Sequence, residues 1–329
     1  LNIGQFTEKI FNISSTEDFN ELALQLFHYQ YSQNDVYRSF VSYLIDGPGN
    51  IKSIDQIPFL PISFFKTRKL ICENFEEEAV FASSGTGGER SKHYIYSLDL
   101  YRRSFMSAYI HFFGPPEGYR FLGLLPSYLE KEDSSLVYMV NSLMQAGQFP
   151  ESGFYLDEFD QLATRLEQLS TGSYPTVLIG VSFALLDFAE KYPFSLGKNI
   201  IIMETGGMKG RREEITREDL HARLGKAFDK EVIYSEYGMT ELLSQAYSKG
   251  HGRFSAPPWM KVMIRDIQDP FSLLGHGQTG AINIIDLANI HSCAFIETQD
   301  IGRTYPDGTF EVLGRTDVSD IRGCNLLLV

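Results

Sequence analysis

Hydrophobic positions along the 329-residue chain fall into two textures. In the longer, N-terminal part, continuous apolar runs alternate with amphipathic stretches. Residues 15–43 carry Leu22, Leu24, Leu26 and Phe27 at near-helical spacing, which predicts a helix. Pro58, Pro61 and Phe64-Phe65 mark an extended, irregular stretch. Beyond it, residues 120–126, 176–181, 200–204 and 232–235 read as strands. Residues 157–169, 183–191 and 217–228 read as helices. Unbroken apolar strands between helices predict parallel βαβ packing. From Pro257 onward the texture changes to short β-like runs (KVMIRDI, GAINIIDL, AFIETQDIG, TFEVLGR) separated by Gly, Pro and Asp turns. That pattern predicts a smaller antiparallel unit. The expected fold is α/β: a core of mainly parallel sheets flanked by helices over residues 1–256, and a β-rich subdomain over 257–329.

Charge narrows the partners. Lys and Arg number 29 and Asp and Glu 42, a formal net charge of −13, which argues against non-specific nucleic-acid binding. An acidic protein can still hold one anion with backbone N–H groups. Cys72, Cys293 and Cys324 are far apart and odd in number, so no disulfide framework is expected. No Cys-x-x-Cys or His-Glu-x-x-His pattern points to zinc. No apolar run is long enough to span a membrane, and LNIGQFTEKIF has no signal-peptide core. The expected location is cytoplasmic.

Two segments could carry chemistry. In SSGTGGERSKH, residues 83–93, the run Ser83, Ser84, Gly85, Thr86, Gly87 and Gly88 directly follows a short apolar run. Small hydroxyl residues and glycines let N–H groups converge on an anion at a strand's end, and Arg90 and Lys92 add charge. The alternative is a flexible surface loop. It is not a P-loop, because the Gly-Lys-Ser/Thr ending is missing. In YSEYGMTELLSQ, residues 234–245, a tyrosine can stack on a base, a threonine can reach a phosphate and a glutamate can hold Mg²⁺. The alternative there is an ordinary helix start, with Thr240 as the N-terminal hydroxyl. Gly275, Gly277 and Gly280 match G-x-G-x-x-G formally, but a strand pattern follows where a dinucleotide fingerprint must open a helix; a turn between strands is expected instead.

The order of the motifs resembles the adenylate-forming superfamily of acyl-CoA synthetases, luciferases and peptide-synthetase adenylation domains. The elements are the loop at 83–92, Ile179-Gly180-Val181-Ser182, Glu204-Thr205-Gly206-Gly207 and Tyr237-Gly238-Met239-Thr240-Glu241. They continue with the 277–280 turn, Thr298-Gln299-Asp300, Asp307-Gly308 and Gly314-Arg315-Thr316-Asp317. Within it, Ser-Ser-Gly-Thr-Gly-Gly, the chain length and Arg322-Gly323-Cys324 resemble the acyl-protein synthetase group, typified by the fatty-acid-activating subunit of bacterial luminescence (LuxE-like).

That resemblance implies ATP and Mg²⁺, a carboxylic acid substrate of the fatty class, and an acyl-accepting protein. A carboxylate–CoA ligase and a non-catalytic nucleotide-binding subunit are the rival functions. By resemblance, Ser83, Ser84, Thr86 and the loop glycines hold the leaving phosphates. Gly206 and Gly207 let backbone approach the adenine, with Tyr237 and Gly238 on its other side. Thr240 meets the α-phosphate and Glu241 ligates Mg²⁺. Asp300 accepts from the ribose hydroxyls, a role for an acceptor-only carboxylate, and Arg315 binds ribose or phosphate. Ile179 to Phe183, Tyr128, Met139 and Tyr234 are acyl-pocket candidates. The superfamily's mobile C-terminal domain and its lysine are expected to be absent, with Lys92, Lys209 or Arg211 as substitutes. Cys324 is either an acyl-accepting nucleophile or a small buried hydrophobe in the terminal run.

Overall fold

The computed structural model describes residues 1–73, 75–84, 89–126, 133–208 and 211–315. Their organising element is one 12-stranded sheet. At one end of it lie β5 (Gly153–Tyr155), the edge strand, β4 (Arg120–Leu124), β6 (Thr176–Val181), β7 (Ile200–Thr205) and β8 (Tyr234–Tyr237), paired in that order and all parallel. The sheet continues antiparallel through β9 (Ala246–Ser248), β10 (Phe254–Ser255), β14 (Phe310–Arg315), β13 (Phe295–Thr304), β12 (Gly280–Asp286) and β11 (Met260–Arg265). A short β1 (Leu60–Pro61) runs parallel to β13. β2 (Ala79–Ala82) and β3 (Lys92–Ile95) form a separate antiparallel ribbon.

All six residues of β6, TVLIGV, are buried, because a parallel strand covered on both faces has no solvent side. The helix α8 (Ser182–Lys191) carries the chain from β6 to β7, and α9 (Arg217–Phe228) carries it from β7 to β8. Helices α5 (Leu98–Phe113) and α6 (Ser135–Gly147) pack together, with α6 against β4. The expected α/β architecture is borne out: parallel strands and helices first, antiparallel strands after residue 257.

Three details differ from expectation. The stretch 15–43 is two helices, Thr16–Gln33 and Asp35–Ser42. Asn34 breaks it: its Oδ1 caps the second helix at Tyr37 N (3.0 Å) while its Nδ2 donates to Ser292 O (3.0 Å). The strand expected at 232–235 lies two residues later, because Tyr234 pairs with Met203 of β7. The antiparallel pattern begins at β9, and the Phe254–Phe310 pairing of β10 with β14 makes the sheet continuous across residue 257. Gly275 and Gly277 precede β12, which starts at Gly280, so that glycine pattern is a strand-to-strand turn.

Candidate active site

The carboxyl ends of β6, β7 and β8 make the crevice where ligands bind in parallel α/β sheets. β7 ends at Thr205, and Gly206 turns the chain with φ +69°, a conformation open to glycine without steric cost. Ser182 Oγ, at the start of α8, lies 3.2 Å from both Glu204 Oε2 and Gly206 O, holding this turn to β6. Glu204 is buried. Burial pushes its carboxyl up, but His221, Arg217 and Ser235 outweigh that and hold it below the ordinary range. Arg217, from the first turn of α9, donates to Glu204 Oε1 (2.9 Å) and to Val312 O of β14 (2.7 Å), and its guanidinium lies 4.9 Å from the Phe254 ring centroid. One cation thus ties β7, β10 and β14 together.

β8 leads into the Tyr-Gly-x-Thr-Glu segment. No helix follows: residues 238–245 turn into β9, which excludes the helix-start alternative for Thr240 and Glu241. Asp286, at the end of β12, takes the amides that a helix would have used internally. Its Oδ2 accepts from Leu243 N (2.8 Å) and Ser244 N (3.0 Å), and its Oδ1 accepts from Ser244 Oγ (2.6 Å). Gly238 is required for space, since a Cβ there would sit 2.5 Å from Glu236 Oε1.

Tyr237 and Asp300 are brought together across 63 residues: the tyrosine hydroxyl donates to Asp300 Oδ2 at 2.7 Å. The Tyr237 ring is buried and packs edge-on to Phe254 and Phe310. Asp300 pairs with Arg315 in the β13–β14 register, and Arg315 Nε lies 3.8 Å from its Oδ1. Burial raises the Asp300 carboxyl against the opposing pull of Tyr237, Arg315 and Arg217. Arg315 is mostly exposed, with a side chain free to turn toward a ligand.

The ribbon β2–β3 reaches the same turn. Ser91 contacts the Glu241 carboxyl, and its carbonyl accepts from Ser83 N (2.9 Å) at the base of the glycine-rich loop. Glu241 is buried, and burial raises its carboxyl against the pull of Ser91 and its own backbone. His93 Nδ1 lies 2.8 Å from Thr240 O, and its Nε2 lies 3.1 Å from Asn289 Oδ1. Burial lowers this imidazole to about 4, so it is neutral at neutral pH. Lys92 is exposed, and strand alternation turns it to the face opposite His93.

Arg90 is structural. It forms a bidentate pair with Asp133 (2.8 and 2.9 Å) and donates to the carbonyls of Ala82 (3.1 Å) and Ser83. Arg90→Ala is expected to cost about 1–2 kcal/mol in urea unfolding, discounted for the partial exposure of both charges. An unchanged midpoint would remove Arg90 from the loop's support.

Ser83, Glu241, Thr240, Tyr237 and Asp300 therefore converge, with Gly206 and Gly207 at the adjoining strand end. Gly85, Thr86, Gly87, Gly88, Tyr128, Lys209 and Cys324 lie outside the described residues, as do Thr316, Asp317 and the Arg322-Gly323 pair. Cys72 and Cys293 are buried free thiols. Among the described residues no cluster of three or more His, Cys, Asp or Glu side chains could cage a metal. A single buried carboxylate, that of Glu241, beside the base of the glycine-rich segment instead fits Mg²⁺, which takes one or two carboxylates and completes its shell with waters and substrate phosphates.

Known proteins resemble this chain in sequence and in fold. The chain is 24% identical to the long-chain-fatty-acid–luciferin-component ligase of Vibrio harveyi, over 91% of this chain and 84% of that protein. It is 23% identical to the Aliivibrio fischeri protein of the same name, over 93% and 86%. The chain is thus similar over most of its length to two fatty-acid–luciferin-component ligases. Among solved structures, a 2-hydroxyisobutyryl-CoA ligase in complex with 2-HIB-AMP and CoA superposes with TM-score 0.68 at 13% identity, over 92% of this chain and 69% of that one. ATP-bound MatB from Rhodopseudomonas palustris superposes with TM-score 0.55 at 15% identity, over 74% of this chain. The chain spans about half the length of MatB (49%). These likenesses show that the chain shares the fold of those two proteins. No family model matches.

Sequence reasoning passed over His93, Asn289, Asp286 and Arg217. The first three are buried. Asn289 breaks the apolar run Leu287-Ala288-Asn289-Ile290, and that break was its available signal; His93 and Asp286 had none.

Proposed function

We propose that this chain activates a long-chain carboxylic acid with ATP as an acyl-adenylate and passes the acyl group to a protein thiol. The observation that carries the proposal is the convergence of three sequence-distant groups at the strand ends. These are the base of the glycine-rich loop, the Thr240-Glu241 turn held to it through Ser91 and His93, and Asp300 held by Tyr237. The names of the curated relatives support the fatty acid.

A substrate carboxylate oxygen attacks the α-phosphorus, the new O–P bond forms, and pyrophosphate leaves with the electrons of the broken P–O bond. The chain's work is alignment and neutralisation of charge. Ser83, Ser84 and the loop hold the leaving phosphates. Thr240 meets the α-phosphate. Asp300, oriented by Tyr237, accepts from the ribose hydroxyls, and Arg315 closes over them. Glu241 is the Mg²⁺ ligand; when bound, the ion offsets phosphate charge. Cys324 is proposed as the acyl acceptor, with a partner protein as the alternative.

The test is acid-dependent ATP–pyrophosphate exchange across a panel of chain lengths. Within it, Asp300→Ala is expected to weaken AMP binding by about 1–3 kcal/mol in calorimetry, because two ribose hydroxyls lose a charged acceptor. Tyr237→Phe is the control: it keeps the carboxylate, loses only its orienting bond and weakens AMP less. Equal affinity in Asp300→Ala and wild type would take Asp300 out of the site.

The CoA bound in the 2-hydroxyisobutyryl-CoA ligase neighbour favours a second reading, a carboxylate–CoA ligase. Thioester formation with CoA alone would select it. AMP binding without any exchange would select a non-catalytic nucleotide-binding subunit.

A further inference from the structure

Thr240 and Glu241 are the two groups assigned to the α-phosphate and the cation, yet they sit in an irregular turn with no helix or strand ladder to fix them. Both of their backbone carbonyls are taken by side chains from elsewhere in the chain. Thr240 O lies 2.8 Å from His93 Nδ1, on β3. Glu241 O accepts from Asn289 Nδ2 at 2.9 Å, and the same amide donates to Cys293 O at 2.9 Å. The two clamps touch each other, Asn289 Oδ1 lying 3.1 Å from His93 Nε2. The imidazole is 1% exposed and Asn289 1%, and the Phe65 ring meets the imidazole edge-on at 5.7 Å. This is a rigid, desolvated contact. Two residues before His93, Ser91 touches the Glu241 carboxyl and anchors Ser83.

We propose that His93 is a positioning residue that, together with Asn289 on the next carbonyl, locks the Thr240–Glu241 backbone to the β2–β3 ribbon, so that threonine and cation-binding carboxylate move with that ribbon. The inference rests on the proposed acid activation and adds to it a residue that touches no substrate. A carbonyl only accepts, so Nδ1–H is the donor to Thr240; Nε2 of the neutral ring then carries no proton for Asn289 Oδ1, and Asn289 acts on the turn through its own Nδ2–H to Glu241 O. Loss of that bond frees the turn while leaving Asp300, Tyr237 and Arg217 in place, because those are held by β7, β8, β13 and β14.

The expected signature is a split in kinetic constants. His93→Ala should lower kcat for pyrophosphate exchange by about 10–100-fold, the cost of misplacing reacting groups by an ångström or less. The KM for ATP and the AMP affinity should stay within about twofold, and the Mg²⁺ concentration for half-maximal exchange should rise. His93→Gln, whose amide N–H can reach the same carbonyl, should recover most of kcat. Asn289→Leu should behave like His93→Ala. If His93→Gln loses as much kcat as His93→Ala, or if the Mg²⁺ requirement is unmoved, the positioning role is refuted. Should His93→Ala not fold, the His93→Gln and Asn289→Leu pair decides on the same two readouts. Absence of exchange in the wild type would instead overturn the acid-activation reading. The clamp would then be judged by amide hydrogen exchange, with slow exchange at 240–244 lost in His93→Ala as the supporting result and unchanged protection as the refuting one.

Discussion

Glu241→Gln is expected to reduce acid-dependent pyrophosphate exchange by about 10²-fold or more while leaving folding and AMP affinity near wild type. The asymmetry follows from where the carboxyl sits. It is 5% exposed, and burial raises its pKa, so in the free protein the protonated carboxylic acid is favoured relative to a surface glutamate. Glutamine has the same shape as that neutral acid and still contacts Ser91, so little folding energy is at stake. The triphosphate complex changes that balance. A divalent cation beside the carboxyl stabilises the ionised form, and an amide cannot supply the lost charge. AMP carries no β- or γ-phosphate to share such a cation, so its affinity reports the groups on the base, ribose and α-phosphate and not the cation. Exchange at saturating Mg²⁺ and AMP calorimetry, run side by side, check this. Parallel loss in both would mean that Glu241 holds the turn and does not serve the cation.

The motif residues were legible because chemistry restricts them to few residue types in a set order. Asp300, Glu241 and Ser83 could be placed from sequence for that reason. Their support was harder to see. Asp286 gathers three donors from residues 243 and 244, more than 40 positions away, and nothing in the local pattern of GAINIIDL announces it. The same long-range bond explains why a helix start was an open alternative for Thr240. Locally Thr-Glu-Leu-Leu suits a helix, and only Asp286, by taking the amides of Leu243 and Ser244, decides for a turn. Local periodicity sufficed where burial alone sets the element. Residues 176–181 and 217–228 match strand and helix to the residue, since their apolar positions face covering layers on known periods. It failed at residue 34, where a cap and a tertiary bond to Ser292 coincide on one asparagine, and at 232–235, where register with β7 chose the strand.

Glu236 gives stability a pH dependence whose sign can be worked out. It is buried on β8 and accepts from Thr205 Oγ1 across the strand pair. Burial pushes its carboxyl up from 4.5 to about 7; Thr205 opposes the rise and Glu204 adds to it. A carboxyl that holds its proton more tightly when folded favours the folded state while protonated. Its contribution is complete below 4.5, declines as pH climbs, and is gone above about 7. The loss amounts to about 3 kcal/mol at 1.36 kcal/mol per unit of pKa. His93 works in the opposite direction: its folded-state value is lowered to about 4, so its contribution disappears as pH falls from 6.5. The wild-type stability curve therefore mixes the two slopes, and the useful quantity is the difference between wild type and Glu236→Gln. Glutamine can keep the Thr205 bond and cannot ionise. Near pH 5 the two proteins should unfold at similar urea concentrations. Near pH 8 the variant should be the more stable, by about 2–3 kcal/mol. Parallel curves across that range would mean that Glu236 ionises in the folded protein as readily as in the unfolded chain. Because Glu236 sits between Thr205 and Tyr237, next to the two strand ends that build the site, its ionisation above neutrality should loosen the Gly206 turn first. AMP affinity followed over the same pH range in both proteins would then fall in wild type and hold in Glu236→Gln.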